Sequence, residues 1–176
     1  MVTSVVGSFA SVESIAVFSD TKSNDANTFS TGSIIITDAP ATALVTFANM
    51  APGDSIIAPI TITNGGTLQQ RYAMSTSATN ADGKNLASQL QLTVRQYAAP
   101  GCSAESGAIL YNAALGIAAI GSNAQGAQAG DRVLDAGTNE QLCFKVALPL
   151  ATGNAFQSST TTATFTFDAE QTVNNP

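Results

Sequence analysis

The chain contains no histidine. That absence removes the commonest general base and the commonest zinc ligand. It also removes every Ser-His or Cys-His arrangement, and with them any HExxH metalloprotease helix. Basic side chains are nearly as scarce: six Lys and Arg are scattered over 176 residues, and the net charge is −6. A phosphate backbone needs clustered cations, so nucleic acid is excluded as a partner. Charged residues make up 10% of the chain, against roughly 25% in an average soluble domain. No Asn-x-Ser/Thr sequon occurs, so an N-linked glycan at that motif is excluded. No apolar run has membrane length, so no membrane span is expected in the mature chain.

With 44% hydrophobic residues and little charge, the polar surface has to come from Ser, Thr, Asn and Gln. That mixture is common in secreted β-proteins, and the branched Cβ of Thr suits a pleated surface. The length suits one domain with a proper core. Alternation of period two dominates. Ile60 and Ile62 flank Thr61. Leu90, Leu92 and Val94 share one face, as do Phe144, Val146 and Leu148. Near the end, Ala163, Phe165 and Phe167 point in while Thr162, Thr164, Thr166 and Asp168 point out. Gly-, Pro- and Asn-rich stretches separate these runs, notably 51–54, 64–67, 80–85, 100–107, 121–130, 135–139 and 151–157. Eight or so half-buried antiparallel strands at such spacing predict an all-β, jelly-roll-like antiparallel β-sandwich. Helical structure is expected only as short turns, at 85–89 and 153–157. Cys102 and Cys143 read as one disulfide in an oxidising compartment or as two buried thiols in the cytosol, and the composition favours the first.

Three segments carry a family resemblance. Residues 16–34 (AVFSDTKSNDANTFSTGSI) set a small residue and an aromatic before a polar turn and a first strand. Residues 47–55 (FANMAPGDS) run into a strand that ends in 62–68 (ITNGGTL). Residues 143–157 (CFKVALPLATGNAFQ) and 163–171 (ATFTFDAEQ) form a final strand pair. In order and spacing this set resembles the TasA/camelysin-like, SipW-dependent secreted proteins. The resemblance implies a jelly-roll subunit of an extracellular filament, a biofilm matrix fibre or pilus. It implies a homopolymer in which an N-terminal segment of one copy completes the sandwich of the next, and it implies no cofactor and no enzymatic role. Camelysin-type proteins have also been labelled metalloproteases, an activity this histidine-free chain would have to rest on scattered acids. The chain departs from the family in its two cysteines and in lacking Lys-rich insertions.

The first residues fit that scheme. Residues 1–15 form an extended N-terminal arm or signal-peptide remnant, and 16–176 form the single β-sandwich domain. Val2, Val5, Val6, Phe9, Ala10 and Val12 are the apolar side chains a donor strand could offer by β-augmentation. Two other readings of the segment stand beside it: a signal-peptide remnant without its basic region, and a short docking helix with Val2, Val5, Val6 and Phe9 on one face. A monomeric adhesive or carbohydrate-binding sandwich is the alternative for the whole chain, and a secreted hydrolase a weaker one. For the first, Tyr72, Tyr97 and Tyr111 would supply a platform, against their expected role as packing or rim residues. For the second, Asp131, Asp135 and Glu140 would supply the carboxylates, against the expectation that they are solvated loop acids. Asp20–Asp25 and Asn80–Asn85 offer oxygens to calcium, but without the closing glutamate of such loops the second reads as a turn.

Overall fold

The computed structural model describes residues 28–42, 44, 48–97, 102 and 105–175. The chain divides into two units, Met1–Thr31 and Gly32–Pro176. The donor-segment residues Val2, Val5, Val6, Phe9, Ala10 and Val12 lie outside the described residues, as does the Asp20–Asp25 segment.

Among its described residues the second unit is an antiparallel β-sandwich of nine strands: β1 (Ile36–Ala39), β2 (Ser55–Asn64), β3 (Gln70–Ala78), β4 (Gln91–Gln96), β5 (Ile109–Ala114), β6 (Ala119–Ile120), β7 (Arg132–Leu134), β8 (Asn139–Ala147) and β9 (Ala163–Gln171). One sheet has the order β1-β2-β8-β4-β5. In the other, β9 pairs with β3 along its whole length, from Ala78↔Ala163 to Gln70↔Gln171, so β6 and β7 share the opposite edge of β3. The jelly-roll-like feature is a paired ribbon that turns from one sheet into the other. β2 and β8 pair in the first sheet, and their continuations β3 and β7 pair in the second. The two crossing corners, 64–69 and 135–138, travel side by side and exchange backbone bonds, Asn64 N–H to Thr138 O and Gly137 N–H to Asn64 O.

The alternation read from the sequence builds the core. Ile60, Ile62, Leu90, Leu92, Val94, Leu142, Phe144 and Leu148 are buried between the sheets with Tyr72 and Met74. Burying such side chains stabilises by about 1.5–3 kcal/mol each. Among the described residues the helical structure amounts to 3-10 turns, including Leu86–Ser88 and Asn154–Phe156, inside the two stretches expected to turn. Cys102 is bonded to Cys143 with their Cα atoms 5.5 Å apart. The bond pins the chain before β5 onto the outer face of β8, where Glu105 also pairs with Lys145 at 2.6 Å. A bridge over 41 residues restricts the unfolded chain by roughly 4 kcal/mol in the loop-entropy account.

Candidate functional site

The sandwich is finished differently at the two ends of the same strands. β1 covers β2 only from Thr61 to Asn64. From Ser55 to Ile60 the far edge of β2 has no strand partner among the described residues. Pro59 lies in this stretch, where a residue without an N–H costs no ladder bond. Across the sandwich, β9 pairs with β3 alone among the described residues, so its outer edge from Ala163 to Gln171 is unpaired. β1 runs close to β9, which places both free stretches on the same side of the sandwich.

Side chains that point inward along these stretches are incompletely covered. Ile56 and Ala58 on β2, and Ala163, Phe165, Phe167 and Ala169 on β9, are half-buried, whereas Ile60 and Ile62 further along β2 are buried. Phe165 meets the fully buried Phe144 edge-on at 5.0 Å, and Ala58 sits opposite Phe144 in the β2–β8 register. Phe167 meets Tyr72 edge-on at 6.1 Å. Together these residues form an apolar mouth opening between β2 and β9. An unpaired strand edge beside such a mouth is what an added strand requires: main-chain groups to bond and alternating pockets to fill.

The opposite end, where the ribbon crosses, is polar and closed. Asn64 is fully buried. Its Nδ2 donates to Leu68 O at 2.9 Å and to Leu134 O at 3.1 Å, and its Oδ1 accepts from Gly66 N at 2.9 Å. Residues 33–35 lie across this corner, with Ser33 O accepting from Thr67 N and Ile35 O from Gly65 N. A Cβ at Gly66 would stand 2.4 Å from Ser33 O, so only glycine fits there. Between the sheets, Glu140 accepts from the Tyr72 hydroxyl at 2.6 Å and forms an ion pair with Arg132. Burial, and then the bond to Glu140, push the Tyr72 phenol far above its ordinary value, and the same carboxylate raises the Arg132 guanidinium. On the outer face Arg71 donates to Glu170 at 2.7 Å and to the carbonyl of Asn175. The Asn175 side chain, with Arg71 behind it, holds the Glu170 carboxyl below the usual range.

These partners decide the other candidate sites. Glu140 is not the solvated loop acid expected from its flanking sequence. It lies in β8, points inward, and is paired, because β8 begins at Asn139 and sets it opposite Ile62 on the core face. Asp131 accepts from the Ser122 and Gln128 amides, and Asp135 from Gln69 at 2.7 Å, so the three carboxylates serve separate contacts. Tyr72 is in the core, while Tyr111 is on β5 of the other sheet and donates to Ala114 O. They present no common platform. In 80–85, the Asn80 side-chain Oδ1 accepts from Asn85 N, and Asp82 accepts from Lys84 N and Thr160 N, which lowers its pKa. Those oxygens brace a turn. The Pro52-Gly53 turn is closed by Asp54, whose side chain accepts from Ala51 N at 2.8 Å, with Gly53 at positive φ.

Two features went unread in the sequence: the satisfaction of Asn64, and the Arg71–Glu170–Asn175 contact. The Asn-Gly-Gly motif had marked the first only as a turn. Nothing local marks the second, because its members are 99 and 104 residues apart.

The camelysin metallo-endopeptidase family matches residues 1–95. No curated protein matches the chain. The match ends within β4, so the disulfide and β5 to β9 lie beyond it. The family name implies a metal, and the donors here do not fit a catalytic zinc. The chain has no histidine, its two cysteines are bonded to each other, and no three of its potential ligands converge among the described residues. Such a site needs three protein ligands and an open position. The matched half carries the turn at Pro52-Gly53-Asp54, strand β2 and the Asn64-Gly65-Gly66 corner on which the sandwich closes, and by that match the chain belongs to the camelysin family.

Proposed function

We propose that this chain is a non-enzymatic, secreted structural subunit of an extracellular filament of the biofilm-fibre or pilus kind. In this reading it polymerises head to tail by donor-strand complementation. Residues 1–15 are the arm and the remainder the acceptor body. The observation that carries the reading is the β9 edge: nine residues without Pro or Gly, unpaired among the described residues, beside half-buried Phe165 and Phe167. Pro59 interrupts the facing edge of β2, so an incoming strand finds its continuous ladder on β9. A donor segment of one copy and an unpaired edge of the next make a heterologous contact, which propagates instead of closing. The disulfide supports an oxidising, extracellular setting.

Electron microscopy of the purified full chain, beside a form lacking residues 1–14, tests the reading. Filaments from the full chain and monomers from the truncation are expected. Compact monomers from both, well above micromolar concentration, would sink donor-strand assembly and leave a ligand-binding sandwich.

A further inference from the structure

Asn64-Gly65 is the one Asn-Gly step in the chain. Asn-Gly is the peptide sequence most open to spontaneous deamidation, because glycine puts no side chain in the way of ring closure. The backbone nitrogen of Gly65 loses its proton and bonds to Asn64 Cγ, the Cγ–Nδ2 bond breaks, and ammonia leaves. Water then opens the cyclic imide at either carbonyl, leaving aspartate or isoaspartate at position 64.

In the folded chain every group in that reaction is held. Gly65 N–H, the attacking atom, donates to Ile35 O at 2.9 Å. The leaving Nδ2 donates to Leu68 O and Leu134 O, and Oδ1 accepts from Gly66 N. The Asn64 backbone is fixed on both sides, its N–H to Thr138 O and its carbonyl from Gly137 N. The residue is fully buried, so the water that must open the ring has no access. The same bonds make the product incompatible with the fold. A carboxylate has no hydrogen to give to Leu68 O or Leu134 O, and it would be a buried charge facing two carbonyls. Isoaspartate adds a backbone atom exactly where β1 and β2 pair at Ile36↔Asn64.

We propose that Asn64-Gly65 is a fold-gated modification site: silent in the native subunit, reactive once the crossing corner opens, and a bar to refolding after it has reacted. A subunit that unfolds outside the cell thereby passes from reversible to permanent loss with time.

The test compares the oxidised full chain in buffer and in concentrated urea at mildly alkaline pH. Peptide mass mapping follows the amide at position 64, and circular dichroism after dilution follows recovered structure. With only two cysteines, already bonded, mispairing within a chain cannot imitate the loss. Conversion in the folded chain is expected to be slower by on the order of 10³-fold or more, the scale of the unfolded fraction of a marginally stable domain. In urea, refolding yield should fall in step with conversion. Gly65→Ala provides the second arm, since a Cβ there meets Ile35 Cγ2 at 3.5 Å and Ile35 Cβ at 3.8 Å, both ordinary contacts. That variant should fold, convert severalfold more slowly in urea, and keep its refolding yield correspondingly longer. Conversion at equal rates in buffer and urea would overturn the gating. Full refolding of converted chains, or loss of yield in Gly65→Ala as fast as in the parent, would overturn the bar to refolding.

Discussion

At the end of β2 and β9 that lies beside the crossing corners, Asn64, Tyr72, Glu140, Arg132 and Arg71 find partners within the chain. Toward the other end, Ile56, Ala58 and Phe165 reach only half-burial beside the edge of β2 that is unpaired from Ser55 to Ile60 among the described residues. β9, which carries the half-buried Phe165 and Phe167, has an outer edge unpaired along its whole length among the described residues. The difference is one of completeness within single strands. Polar groups buried without partners are costly; beside this corner the Gln70 side chain is buried without one, while Asn64, Tyr72, Glu140, Arg132 and Arg71 are satisfied within the chain. Partly exposed apolar side chains cost far less and leave surface for another chain to cover. In the proposed assembly, a subunit folds alone by virtue of the corner and binds through the half-covered edge.

Substitutions should separate the two ends. The largest effect on stability is expected from Asn64→Ala, which removes the side-chain partner of Leu68 O, Leu134 O and Gly66 N. The loss of these three side-chain bonds at a buried position should cost about 3 kcal/mol, read as a fall in the urea midpoint. Arg132→Ala, which strands the inward-facing Glu140, should cost about 2 kcal/mol in the same assay. At the mouth, Phe165→Ala should cost only about 1–2 kcal/mol, because half the side chain is already exposed. Filament length by electron microscopy should nonetheless collapse. If assembly survived while stability fell as far as for Asn64→Ala, the division between the two ends would be lost.

Tyr72 gives the corner a pH signature. Its folded pKa is raised above the unfolded value of about 10. Its stabilising contribution is therefore complete below that pH and declines above it, when the unfolded chain releases the phenolic proton and the native one retains it. The expected slope is roughly 1.4 kcal/mol per pH unit, and it should vanish in Tyr72→Phe. The smallest effect belongs to Asp82, which is exposed in its turn. Its pKa is lowered, so its contribution is present at neutral pH and lost as pH falls through the folded value. Asp82→Asn should flatten only that acid limb of the stability curve.

Much of the fold was legible because period-two alternation is a local property. Ile60 and Ile62, Leu90 to Val94, and Phe144 to Leu148 could be assigned to a core face from their spacing alone, and all three runs lie as expected. The β9 pattern was equally legible, but how far Phe165 and Phe167 are covered depends on what stands beside β9, which spacing does not encode. Glu140 was misread for a related reason. Its flanking residues look like a loop, and only the register against Ile62 turns it inward toward Arg132 and Tyr72.

By itself the sequence determined what chemistry this protein lacks, by its missing histidine and sparse cations, and that its strands are half-buried and antiparallel. It also carried the cysteine pair and the Asn-Gly corner as isolated signs. Tertiary structure alone decided that Cys102 and Cys143 meet, that Asn64 ties two crossing strands, and that β2 is covered on its outer side only from Thr61 to Asn64 while the outer edge of β9 stays unpaired among the described residues. Side-chain spacing follows from neighbours along the chain. Pairing, burial and the completion of an edge follow from residues tens of positions away, brought together only when the two sheets stack.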